Sequence, residues 1–223
     1  MDNGLKLSGW GFRNSSLGQA WLVLLLALVF GSALAVVQTN LNDIISANKA
    51  RETLDRIPEV IWGPQSSKQA TGQLDGVKIT SGALDAGTDG KAKVLPIFRV
   101  DLNAELAGWV VKAGGQGYAD KIELILGLDP EAKIITGLFV LDQKETPGLG
   151  GKIIMADWRR QFVKKNAGLP LQVQKAGRHL ENGIDAVTGA TITSRSVTAI
   201  VNRALADIKG KIAPDNFRPI KGR

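Results

Sequence analysis

Hydrophobic positions divide the chain into three stretches. Residues 17–37, LGQAWLVLLLALVFGSALAVV, carry no charge, and the uncharged stretch extends from Asn14 to Asn42. About 20 such residues suffice for a helix to cross a hydrocarbon core of about 30 Å. Leu41, Ile44, Ile45 and Leu54 continue a helical spacing, and Pro58 is expected to end the helix near Arg56. Residues 64–93, rich in Gly, Ser, Thr, Asp and Lys, show little periodicity and read as loops or short edge strands. Strand patterns follow at residues 94–102 and 109–112. KIELILGL (121–128) and KIITGLFVL (133–141) flank Asp129-Pro130-Glu131, which predicts a β-hairpin. A helix is expected at about 152–166 and a strand at 171–174. Val197, Ile200, Val201, Ala204, Leu205 and Ile208 form the apolar stripe of a last helix, running from about Thr193 to about Gly210.

Strands in a run with helices before and after them predict an α+β domain rather than a doubly wound parallel sheet. The expected organisation is a cytoplasmic N-terminus (1–16), a single transmembrane helix (17–37), a juxtamembrane helix and linker (38–63) and one extracytoplasmic domain (64–223). The side follows from charge: Lys6 and Arg13 precede the span and Asp43 is the first charge after it, which keeps the N-terminus in the cytoplasm. Ala33-Leu34-Ala35 also fits a signal-peptidase site, but the apolar run exceeds the usual signal core of about 7–15 residues, and a retained anchor is expected.

Composition narrows the chemistry. With no cysteine and one histidine, His179, the chain cannot hold a thiolate-ligated cluster, a disulfide or an ordinary zinc or bis-histidine haem site. If it moves electrons, an organic cofactor must carry them. The net charge of +7 is scattered among acids with no aromatic-interleaved basic run, which argues against nucleic acid. His179 is expected at the surface.

Several nucleotide motifs fail. Gly148-Leu149-Gly150-Gly151-Lys152 has Thr146 where a P-loop needs glycine and Ile153 where it needs Ser or Thr. Gly114-Gly115-Gln116-Gly117 lacks the final glycine of a dinucleotide fingerprint. No HExxH, GxSxG or paired-carboxylate arrangement supports hydrolysis, and no catalytic residue or metal ligand is assigned. The segment DAVTGATITSRS (185–196) is different, since it sets Thr188, Thr191, Thr193 and Ser194 with Gly189 directly before the last helix. Free amides and the helix dipole there suit a phosphate. Plain capping by one of the hydroxyls is the competing reading.

Asp185, Thr188, Gly189, Ala190 and Thr191 match the D-x-x-[ST]-G-A-T signature of domains to which a flavin transferase attaches FMN through a phosphoester. The resemblance makes Thr191 the acceptor. Glu145-Thr146-Pro147-Gly148-Leu149-Gly150 is similar to the ETPGLG loop of the RnfG family, a component of the Rnf complex, the ferredoxin:NAD oxidoreductase of bacterial membranes. Gly115-Gln116-Gly117-Tyr118 is similar to that family's G-x-G-Y stretch. With the anchor, Trp158, Phe162 and the last helix, the resemblance spans essentially the whole chain. The NqrC component of the sodium-translocating NADH:quinone reductase is the close alternative, and an anchored non-redox binding module is the alternative of another class. The resemblance implies covalent FMN on Thr191, with Thr188, Gly189, Ala190, Ile192, Thr193, Glu145, Thr146, Gly148, Leu149, Gly150 and Tyr118 around it. Asp185 is expected to serve recognition or Mg²⁺ coordination during attachment, or else to cap the turn. Glu145 is expected either to contact the ring or to be a solvent-facing turn residue. The implied role is electron relay among the membrane and redox subunits of an ion-translocating complex in the inner membrane, as one part of an enzyme.

Overall fold

The computed structural model describes residues 16–63, 76–85, 94–175, 177, 180–212 and 217–220. His179 lies outside them. The chain forms two units, one ending at Ala50 and one beginning at Arg51. The described part of the first unit belongs to helix α1 (Ser16–Trp62), which is long and apolar enough to cross a membrane. Its apolar side chains, Leu24 and Phe30 among them, are exposed. The polar groups within the stretch satisfy themselves: Ser32 Oγ donates to Leu28 O at 2.6 Å and Thr39 Oγ1 to Ala35 O at 2.9 Å.

In the second unit an antiparallel sheet is built from β1 (Val77–Asp85), β2 (Val94–Leu102), β3 (Glu105–Gln116), β4 (Lys121–Leu128), β5 (Ile135–Asp142) and the short β8 (Arg218–Pro219), in the order β5-β4-β3-β2-β1-β8. Strand alternation sorts side chains onto two faces. Trp109, Val111, Ile122, Leu124, Leu126 and Leu128 pack on one face with helix α3 (Thr191–Ile208). Val100, Val110 and Ile125 pack on the other with Ile57, Val60 and Ile61 from the end of α1. A two-stranded parallel pair, β6 (Gln172–Gln174) and β7 (Gly183–Asp185), leads into the loop before α3.

Four expectations are corrected. First, α1 continues through Pro58 to Trp62. Pro58 removes one ladder bond, but the last turn is held from outside: Thr136 Oγ1 donates to Val60 O at 2.7 Å, and Gly63, at φ +94°, donates its N–H to Glu59 O at 2.9 Å. Second, residues 77–85 form a full nine-residue strand paired along its length with β2. The sequence pattern was obscured by Gly82, where a Cβ would collide with the Phe217 ring. Third, the expected helix at 152–166 is a chain of short turns, Gly150–Ile154, Ala156–Arg159 (α2) and Arg160–Phe162. Extended backbone at Met155 and Val163 breaks it, and Ile153, Trp158 and Phe162 are buried at the spacing that docking on the sheet requires. Fourth, β3 begins at Glu105, four residues before the expected strand, because Asn103 and Ala104 (φ +52° and +67°) make a two-residue hairpin turn without the usual glycine. The expected hairpin at Asp129 is present, closed by Asp129 Oδ1 accepting from the amides of Lys133 (2.6 Å) and Ile134 (2.9 Å).

Candidate functional site

Helix α3 starts at Thr191, two residues earlier than expected, with Ala190 in the N-cap position and no side chain capping it. The first ladder bond is Ser194 N–H to Ala190 O at 3.0 Å, which leaves the amides of Thr191, Ile192 and Thr193 outside the ladder. The hydroxyls that could have capped are used elsewhere. Ser194 Oγ donates to Ala190 O and accepts from the Val187 N–H, both at 3.0 Å, and Thr193 Oγ1 donates to Glu145 Oε2 at 2.7 Å. Plain capping therefore does not account for this run of hydroxyls. Thr193, Ser194 and Ala190 are buried, whereas Thr188, Gly189, Thr191 and Ile192 are presented outward.

The loop after β5 approaches the same helix end. Leu149 and Gly151 both donate their N–H to Thr146 O (3.2 and 3.0 Å), which folds Thr146–Gly151 into a compact turn with Gly148 at φ +75°. A Cβ on Gly148 would meet nothing within 4 Å, while one on Gly189 would meet Leu149 Cδ2 at 3.0 Å, so the two loops touch at Leu149 and Gly189. Glu145 is buried at 4% exposure, which removes the solvent-facing reading. Its Oε1 accepts from the Ala119 N–H at 3.0 Å while Oε2 takes the Thr193 hydroxyl, so one carboxylate joins the turn after β3, the ETPGLG loop and the start of α3. Beside it the Lys121 amide, followed by the Lys144 ammonium, holds the Asp120 carboxyl below its usual range.

Tyr118, Glu145, Thr146, Leu149, Gly150, Gly189, Ala190, Thr191, Ile192 and Thr193 line one open cleft of ≈ 540 Å³. Gly148 and Thr188 lie in the two loops that form it but outside the lining, and Asp185 stands apart at the end of β7. The residues that sequence reasoning missed are those behind the lining. Gln143 Oε1 accepts the Glu145 N–H at 2.6 Å, the Ala119 amide is bound by Glu145, and Gly117 has no room for a Cβ beside the same carboxylate. Only Gly117 had left a signal, within its G-x-G-Y stretch.

Residues 117–206 match the family described as FMN-binding domain, an interval from the Gly117 turn into α3. Over 190 residues the chain is 32% identical to the G subunit of the ion-translocating oxidoreductase complex of Pseudoalteromonas atlantica, covering 81% of this chain and 83% of that one. The chain belongs to this G-subunit family. The G subunit of the Na⁺-translocating ferredoxin:NAD⁺ oxidoreductase complex of Acetobacterium woodii is 35% identical over 125 residues, 55% of this chain, and the match spans 59% of that relative's length. The crystal structure of NqrC from Shewanella oneidensis superposes with a TM-score of 0.57 at 20% identity, covering 73% of this chain and 95% of that one. That likeness establishes the α+β fold of the sheet domain.

Proposed function

We propose that this chain is the flavin-carrying subunit of an Rnf-type ion-translocating complex, with FMN joined by a phosphoester to the Thr191 hydroxyl and electrons passing through it between neighbouring redox subunits. The observation that carries the reading is an exposed Thr191 on the uncapped first turn of α3, at the wall of an open cleft. The residues present fit FMN. The cleft volume of ≈ 540 Å³ falls within the range of about 300–1,000 Å³ common to ligand sites. The free amides of Thr191, Ile192 and Thr193 and the helix dipole suit a phosphoester anion. Leu149, Ile192 and Tyr118, exposed at 45%, 56% and 63%, offer apolar surface to a ring.

FMN, when bound, supplies one- and two-electron exchange. Thr191 is then an anchor and takes no part in the chemistry. The buried Glu145, Ala190 and Thr193 keep the cleft floor in place, and Gly189 and Leu149 hold its two walls together. A covalent tether keeps the cofactor from being lost on the outer side of the membrane, where the domain would lie with the N-terminus in the cytoplasm. Maturation needs a flavin transferase, and the working partners are the other membrane and redox subunits of the complex. The extent of the match to the Pseudoalteromonas relative favours an Rnf-type complex over the quinone reductase.

The full-length chain, co-expressed with a flavin transferase and run on a denaturing gel, should give a band fluorescing under ultraviolet light. A dark band would contradict covalent attachment. In a native preparation that is also colourless, it would return the TGAT segment to the plain start of a helix in a non-redox module.

A further inference from the structure

The acceptor loop is fastened from behind at one residue. Asp185 closes β7 half-buried, with its backbone and one carboxylate oxygen, Oδ1, hydrogen-bonded to neighbouring segments. Its N–H donates to Gln161 Oε1 at 2.7 Å, its carbonyl accepts from Trp158 Nε1 at 2.9 Å, and its Oδ1 accepts from Gln174 Nε2 at 2.9 Å. A carboxylate can only accept, so the Gln174 amide nitrogen must face it. That leaves Gln174 Oε1 for the Leu180 N–H, at 3.1 Å. Gln174 is also the register partner of Asp185 across the β6–β7 pair, and its carbonyl accepts from the Ala186 N–H at 3.0 Å. Gly183 leaves room for this amide, since a Cβ there would collide with Gln174 Oε1. From this fastening the chain reaches Val187, bound to Ser194 Oγ, and Ala190, whose N–H returns to Val187 O at 2.9 Å. The backbone of the turn is thus tied at each buried position, and Thr191 is held outward from a loop that is already formed.

We infer that Asp185 is a positioning residue for flavin attachment: through Gln174, Gln161 and Trp158 it fixes the loop that presents Thr191, and its charge is not read by the transferase or by a metal ion. This rests on the covalent-attachment reading. In that reading the transferase draws on a flavin nucleotide joined to a second nucleotide through a phosphoanhydride. Thr191 Oγ1 bonds to the flavin phosphorus, the phosphoanhydride P–O bond breaks, the second nucleotide leaves as its monophosphate, the hydroxyl proton passes to solvent, and the chain gains the mass of FMN less one water.

Charge and position separate because Asp185→Asn keeps an oxygen that can accept from Gln174 while removing the charge. Gln174→Glu does the opposite, setting two carboxylates face to face. In the double variant Asp185→Asn/Gln174→Glu the amide and the carboxylate exchange sides and the hydrogen bond is restored. The measurement is the rate at which the full-length chain gains the flavin mass with a flavin transferase, with the unfolding midpoint of each variant recorded beside it. Wild type and Asp185→Asn should attach flavin at equal rates, and Gln174→Glu should be slower by about tenfold, the equivalent of ~1.4 kcal/mol. The double variant should recover the wild-type rate. If Gln174→Glu fails to fold, Asp185→Asn and the double variant decide. A folded Asp185→Asn or double variant that no longer accepts flavin, beside a wild type that does, would overturn the inference and assign the carboxylate to recognition. A wild type that gains no mass would instead sink the attachment reading itself.

Discussion

Glu145 shows how much of the cleft depends on one side chain. Its two oxygens satisfy the Ala119 amide and the Thr193 hydroxyl, and it is one of the groups that leave no room for a Cβ at Gly117 and Gly150, where Thr193 Oγ1 would lie at 2.8 Å and Glu145 Oε2 at 2.9 Å from the position at Gly150. Glu145→Ala strands the buried Thr193 hydroxyl and takes the acceptor from the part-buried Ala119 amide, and an unsatisfied buried donor costs about 1–3 kcal/mol. Denaturant unfolding should therefore show a loss of about 2–3 kcal/mol, and an unchanged midpoint would mean that the three segments are held by something else. The lining of this cleft was legible in the sequence because its residues are chemically distinctive: hydroxyls before a helix, and a Pro-Gly turn with a second glycine. The supports were not. Gln143, Gln161 and Gln174 are ordinary glutamines until β5, β6 and the short helical turns bring each to one particular amide or carboxylate.

At the scale of elements, the end of α1 belongs to the domain. Thr53, Ile57, Val60 and Ile61 form a helical stripe that is buried against the sheet, and Gly127 and Gly137 are bare so that the Val60 backbone can approach, with a Cβ at Gly137 falling 2.5 Å from Val60 O. Arg159 secures the junction. It is stacked on the Phe139 ring at 4.5 Å, donates to Leu138 O at 2.9 Å, and is paired with the buried Glu59 at 3.1 Å. A soluble domain begun at Arg51 should unfold cooperatively. One begun at residue 64 uncovers Val100, Val110 and Ile125 and should aggregate or melt well below it, and equal midpoints would show the helix end to be dispensable. The sequence predicted β2 and β4 to the residue because each reads as a run of strand-forming apolar residues interrupted only by single polar ones. It missed the helix end because Pro58 is a local signal to stop that is overridden by the Gly63 turn just after the helix and by Thr136 and the sheet, far along the chain. The broken helix after the ETPGLG loop fails for the same reason, since Trp158 and Phe162 are placed by a ring contact at 5.2 Å and by the bond to Asp185, neither of which has a period.

In the whole molecule one helix long and apolar enough to cross a membrane precedes one FMN-binding domain, and the outer side proposed for that domain rests on Lys6 and Arg13 ahead of the apolar stretch. Protease added to sealed spheroplasts should remove the domain and leave a membrane-embedded N-terminal fragment, while digestion only after lysis would reverse the orientation. The central claim is the bond at Thr191. Its side chain is exposed and caps nothing, so Thr191→Ala should cost within about 0.5 kcal/mol of stability, as exposed substitutions usually do. Intact-mass spectrometry of the full-length chain made with a flavin transferase should show wild type heavier by FMN less one water and Thr191→Ala at its unmodified mass, with peptide mapping placing the increment on Thr191 rather than Thr188 or Thr193. An increment that survives in Thr191→Ala would move the attachment site elsewhere, and a wild type without it would contradict the account at its centre.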